Sequence, residues 1–219
     1  VEAMLSQLGS GATSNSYSDF ETASCVMIVG ADPSSNHPVI ASRIRKAIDN
    51  NGVKLIIINP KRIDLCDRTD LWIQPNAGTD VAVLNGMANV IIRDQLVDKE
   101  FVQQRTEGFK EWRSTVEAYT PERVEKISGV PADLLTRAAH LYANPGKKDQ
   151  QSGSCLLWGM GITQHTNGTD NATALLNLAL VSGQLGKIGN GISPLRGQNN
   201  VQGTGDMGCL PDSLPGYQN

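Results

Sequence analysis

The sequence predicts an α/β domain, doubly wound around a mostly parallel, Rossmann-like sheet with helices on both faces. Three observations predict it. Short β-rich apolar runs recur at residues 24–30, 54–59, 71–74 and 154–158; stretches with helical apolar spacing separate them; and each run ends in a polar loop rich in Gly, Pro and Asn.

The first run, SCVMIVG, is the pattern of a strand buried on both faces, and the turn ADPSSNHP follows it. Pro38 then suits the first turn of a helix whose apolar residues Val39, Ile40, Ile44, Ala47 and Ile48 share a face until NNG at 50–52 stops it. KLIIIN at 54–59 is a second buried strand, ended by Pro60, which completes a β-α-β unit. LWIQ at 71–74 is a shorter strand, and the turn PNAGTD leads to an amphipathic helix at about 81–94, with Thr79 or Asp80 available as N-cap. Helices are expected at 98–104 and 109–119, from Thr120-Pro121-Glu122 onward, and at 131–142, where Leu134, Leu135, Ala138, Ala139 and Leu141 recur. His140, inside that pattern, reads as structural. NPGKKDQQSG at 144–153 is the most polar stretch and the one expected to move most; a strand at 154–158 and an apolar, buried helix at 171–182 follow. Beyond Gly189 no periodicity is visible. The chain therefore divides into an α/β domain, 1–189, and a polar glycine-rich segment, 190–219, expected to run over the strand ends or toward another domain.

At 219 residues and 39% hydrophobic, the chain can bury a sizeable core. A net charge of -3 gives no basic field, so no nucleic acid and no direct membrane contact are expected. There is no apolar run of membrane-spanning length and no signal-peptide pattern at the start, which implies a cytoplasmic protein. The opening residue is not Met and the end carries no terminal element, as expected of a piece of something longer. Cys25, Cys66, Cys155 and Cys209 form no C-x-x-C pair and read as buried reduced thiols.

In open α/β sheets ligands collect where the strands end. Here those ends read GADPSSNH from Gly30, NPKR from Asn59, PNAGTD from Pro75 and GMGITQH from Gly159. The types suit a nucleotide: a carboxylate accepts from a base or ribose, Ser and Gly N–H groups hold phosphate, and Lys61 or Arg62 offsets its charge. No G-x-G-x-x-G follows the first strand, which disfavours ordinary NAD chemistry, and there is no nucleophile elbow, P-loop lysine or dense His/Cys cluster. PLRGQNNVQGTGDMG, 194–208, gathers Arg, amides and Asp among glycines with almost nothing to bury, as a loop wrapped on a polar ligand would.

With these loops in this order, in particular GADPSSNHP, INPKRIDLCDRTD, QPNAGTD, GMGITQHTNGTDN and LRGQNNVQGTGDMG, almost the whole chain resembles the molybdopterin oxidoreductase family, within it the catalytic (alpha) subunits of formate dehydrogenases. The resemblance implies a central dinucleotide-binding domain for one of two molybdopterin guanine dinucleotides whose dithiolenes chelate Mo or W. It implies that Gly30, Asp32, Ser35, Asn36 and His37 lie near phosphates and sugar, Asn59 and Lys61 on the guanosine side, and Gly78 with Asp80 at the guanine. Met160, Gln164 and Gln198 would meet the pterin and metal end, and Arg196 would orient formate through paired N–H···O bonds. The family's 4Fe-4S domain and its metal-ligating selenocysteine or cysteine match nothing here, so no residue of this chain is read as a metal ligand; the rest of the subunit and electron-transfer subunits are the implied partners. Two other readings compete: a nucleotide-binding module without catalysis, and an assembly domain whose polar loops form interfaces. A related enzyme of the same family acting on another small anion is a further alternative.

Overall fold

The computed structural model describes residues 1–146, 153–210 and 214–218. In chain order the elements are α1 (Glu2–Leu8), α2 (Asp19–Thr22), β1 (Cys25–Val29), α3 (Pro33–Asn36), α4 (Pro38–Asn51), β2 (Lys54–Ile58), a short 3-10 helix (Asp64–Arg68) and β3 (Leu71–Ile73). Next come α5 (Asp80–Arg93), α6 (Lys99–Arg105), α7 (Phe109–Val116), α8 (Pro121–Ser128), α9 (Ala132–Ala143), β4 (Ser154–Trp158), α10 (Met160–Thr163), α11 (Gly168–Val181), β5 (Gly191–Pro194) and α12 (Val201–Asp206).

The five strands form one parallel sheet in the order β3-β2-β1-β4-β5. The three central strands are covered on both sides, which is why they read as unbroken apolar runs. Alternate residues face opposite layers. Met27, Val29, Ile56, Ile58 and Leu156 pack on the layer that includes α5, α9 and α11. Val26, Ile28, Leu55, Ile57 and Leu157 pack beneath Ile40, Ile44 and Ala47 of α4. Each such aliphatic side chain contributes about 1.5–3 kcal/mol by leaving water. The doubly wound sheet is therefore as expected, and no helix among the described residues is long and apolar enough to cross a membrane.

Several local expectations are corrected. The stretch after Gly189 opens with β5, which pairs with β4, so the composition boundary at 189/190 falls ahead of a strand of the sheet; GISP is too short and too Gly/Pro-marked to show a period. The backbone groups of Ser14 lie against Ile192 of this strand, with N–H to O at 3.0 Å, so the edge is covered. Helix α1, packed on α11, was not anticipated. Thr79 takes the N-cap position of α5, but its hydroxyl donates back to Asn76 O at 2.7 Å rather than capping. Cys25 and Cys155 are buried, whereas Cys66 is half-buried and Cys209 exposed. Burial pushes the Cys25 and Cys155 thiols up, as inert core cysteines require. His140 of α9 donates to Asp94 at 2.7 Å; with the Arg93 guanidinium as the larger influence, this holds the Asp94 carboxyl down at about 2. Of the polar stretch 144–153, residues 147–152 lie outside the described residues.

Candidate functional site

All strands end on one rim, and their order reverses between β1 and β4. Connections leave to opposite faces at such a reversal, so a crevice opens beyond the strand tips. Glycine brings the two loops together here. Gly161 N–H donates to Gly30 O at 3.0 Å, and Gly159 N–H to Val29 O at 3.2 Å. A Cβ on Gly30 would stand 2.8 Å from the Gly161 carbonyl carbon, and one on Gly161 2.6 Å from Gly30 O. Gly30 also has φ +57°, a conformation that side chains disfavour.

Next to this contact is a crevice of about 180 Å³, lined among others by Gly30, Asp32, Asn59, Gly78, Asp80 and His165. Asn59 ties two of its loops: the amide donates to Ala31 O at 3.3 Å and accepts from Lys61 N–H at 3.0 Å. The Asp32 carboxylate caps α3, accepting from the Ser35 hydroxyl at 2.7 Å and, at 3.4 Å, from the Ser35 N–H. Gly78 has φ +81° and would meet nothing within 4 Å of an added Cβ, so its face is open. Asp80, in the first turn of α5, is half-buried; loss of water raises its carboxyl above the ordinary range, opposed by its own backbone N–H and by His165. The His165 ring donates to Gly161 O at 2.8 Å.

The other predicted residues lie around the rim rather than in the crevice. Ser35, Asn36, Lys61, Gln164 and Gln198 are exposed. Gln164 donates to the Met160 sulfur at 3.3 Å, and Met160 lies against Gly197, where a Cβ would come within 2.4 Å of its methyl. His37 sits at the N-cap position of α4 without capping it; its ring instead reaches Arg196 O at 2.7 Å. Arg196 is half-buried, and among the described residues no carboxylate pairs with it. Its guanidinium donates to Gly11 O at 2.5 Å, and burial lowers its hold on the proton.

The sequence places Asn76, Gly161 and His165 in the ligand-collecting strand-end loops without giving them individual roles, and it does not connect Gly11 with Arg196. The motif GMGITQH carried a signal for two of these. Gly11 carried none, being 185 residues from its partner.

A parallel sheet with a glycine-closed reversal, a polar crevice and an arginine loop on the same rim defines a doubly wound α/β class of domain whose candidate site lies beyond the strand tips. The family model for molybdopterin oxidoreductases matches residues 3–214, and the chain belongs to that family. It is 45% identical to the F420-dependent formate dehydrogenase subunit alpha of Methanocaldococcus jannaschii, over all of this chain and 31% of that protein. It is 43% identical to formate dehydrogenase H of Escherichia coli, over all of this chain and 30% of that protein. Among solved structures, acetylene hydratase from Pelobacter acetylenicus superposes with a TM-score of 0.71 at 28% identity, covering 83% of this chain and 23% of that one. The chain thus spans about a third of the length of these curated relatives.

Proposed function

We propose that this chain is the part of a formate dehydrogenase catalytic subunit that holds one arm of a bis-molybdopterin guanine dinucleotide carrying Mo or W. The assembled subunit then oxidises formate to CO2, with a 4Fe-4S cluster and electron-transfer subunits as its electron route. The observation that carries the reading is that one loop serves both ends of the rim: after β1, Gly30 and Asp32 line the crevice while His37 holds Arg196. A dinucleotide-sized ligand lying along the rim meets both.

The donor set fits such a group. Asp80 presents a half-buried carboxylate to the crevice, and the open face at Gly78 leaves room beside it for a base. A carboxylate accepts from the N1–H and 2-amino group of guanine together, a donor pair that adenine does not present. Lys61, exposed beside the crevice wall at Pro60, offsets phosphate charge. When bound, the group supplies two-electron redox chemistry at its metal. Arg196 supplies orientation, because a guanidinium holds a carboxylate through two parallel N–H···O bonds.

Calorimetric titration with GMP and AMP tests this reading. GMP is expected to bind at least about tenfold more tightly, and Asp80→Asn to remove about 10–100-fold of that affinity, the worth of hydrogen bonds to a charged acceptor. Equal affinity for the two nucleotides would favour a general nucleotide-binding module instead.

Asp80 carries a stability prediction as well. Its carboxyl is raised in the folded state, mainly by desolvation. Its contribution to stability is therefore complete below the unfolded value of about 3.9 and is lost as pH rises through the higher folded value. At pH 7 the ionised side chain costs stability, so Asp80→Asn is expected to raise Tm. Thermal unfolding repeated near pH 3 should show that gain gone.

A further inference from the structure

His37 is mounted rigidly. Its N–H donates to Pro33 O at 2.9 Å, its carbonyl accepts from Ala41 N–H at 3.0 Å, and Pro38 follows it directly. Backbone and neighbours therefore aim the ring, and the ring meets Arg196 O at 2.7 Å across 159 residues of sequence. A carbonyl only accepts, so Nε2 carries the proton in this bond whether the ring is neutral or charged.

The contact sits where the sheet stops holding the chain. Leu195 N–H donates to Trp158 O at 2.7 Å, which continues the β4–β5 ladder one rung past β5. Among the described residues, no further rung forms beyond it. Arg196 is the first residue past that rung, and three neighbours hold it instead, of which only His37 acts on its peptide plane. His37 takes the carbonyl, Gly11 O takes the guanidinium, and the Met160 methyl fills the space where Gly197 has no Cβ.

We propose that His37 is a positioning residue for Arg196, fixing the peptide plane that follows it so that the guanidinium keeps its half-buried seat. This differs from the phosphate or sugar contact that the family resemblance implies for His37. It rests on the reading that Arg196 orients formate. A guanidinium displaced by about 1 Å loses its paired geometry, and displacements of that size cost up to about a hundredfold in rate.

The test uses the full-length subunit with its cofactor, comparing His37→Leu with His37→Gln, whose amide keeps an N–H donor. His37→Leu is expected to raise KM for formate by about tenfold or more, with a smaller change in kcat and unchanged metal content per subunit. His37→Gln should return KM to within about threefold of the parent. If His37→Leu empties the metal site while the loaded fraction keeps the parent KM, His37 is a cofactor ligand and the proposal fails. If the two variants behave alike at equal metal content, the hydrogen bond is not what matters and it also fails. Arg196→Ala separates the two levels of the argument. When it raises KM and His37→Leu does not, only the positioning role falls; when it leaves formate turnover intact, the parent reading falls and takes His37's role with it.

Discussion

Arg196→Ala, introduced into the full-length subunit, is expected to lower kcat/KM for formate by about three orders of magnitude, with metal content unchanged. The size follows from where the guanidinium sits. It is half-buried, burial lowers its proton affinity, and its nearest polar partner is the uncharged Gly11 O. Arginine stays charged in proteins all the same, so the site holds a partly desolvated cation with no acidic partner among the described residues. Such a cation attracts an anion far more strongly than one in open water, and removing a preorganised donor from an oxyanion site typically costs about a hundred- to a thousandfold. Arg196→Lys should fall between, near a 10–100-fold loss, because an ammonium supplies charge without the planar fork. Stability should change little, since the lost bond to Gly11 O is worth about 1 kcal/mol and the removed charge was costly to bury. Steady-state kinetics with an artificial electron acceptor, beside metal analysis, reads these effects. A loss smaller than about threefold would point to an assembly domain whose polar loops are interfaces.

The sequence made the sheet legible because its central strands are buried on both faces, so β1, β2 and β4 appear as uninterrupted apolar runs. The strand tips were legible for a related reason: polar residues placed directly after such runs have few places to go except the rim. What stayed hidden was contact between distant segments. The seat of Arg196 is made by Gly11 and His37, and nothing in the local composition of either announces the other. Short elements were hidden too. α3 and α10 are four residues each, below the length at which a helical period can be seen, and β5 needs its neighbour β4 to be recognised as a strand. The exposed Cys209 shows the limit of composition: a thiol is usually buried, but nothing near it in sequence says that this segment lies on the surface.

Gly161→Ala is expected to be strongly damaging for a single added methyl, lowering Tm by about 6–12 °C. Gly161 is itself exposed and has an ordinary negative φ, so neither burial nor backbone conformation predicts harm. The harm comes from the reversal. There the loops after β1 and β4 leave in opposite directions and their backbones touch, so the added Cβ would lie 2.6 Å from Gly30 O and 2.9 Å from Gly30 Cα. Both are main-chain atoms that cannot swing aside, and the bond from Gly161 N–H to Gly30 O must break or stretch as the loops part. Overpacking of this kind costs about 3 kcal/mol, which for a domain of this length is the quoted shift in Tm at about 2–4 °C per kcal/mol. Gly78→Ala is the control: it adds the same methyl in open space, so it should cost only the left-handed backbone, about 1–2 kcal/mol. Differential scanning calorimetry of the two variants decides the matter. A Gly78→Ala loss equal to or larger than that of Gly161→Ala would mean that the rim tolerates separation of the two loops, and that the crevice is not held closed by their contact. The expected order ties the shape of the crevice, and with it the proposed nucleotide binding, to packing, because a pair of loops forced apart at Gly30 also moves Asp32 and the wall facing Asp80. Gly161→Ala should therefore weaken GMP binding without removing a single group that touches the base.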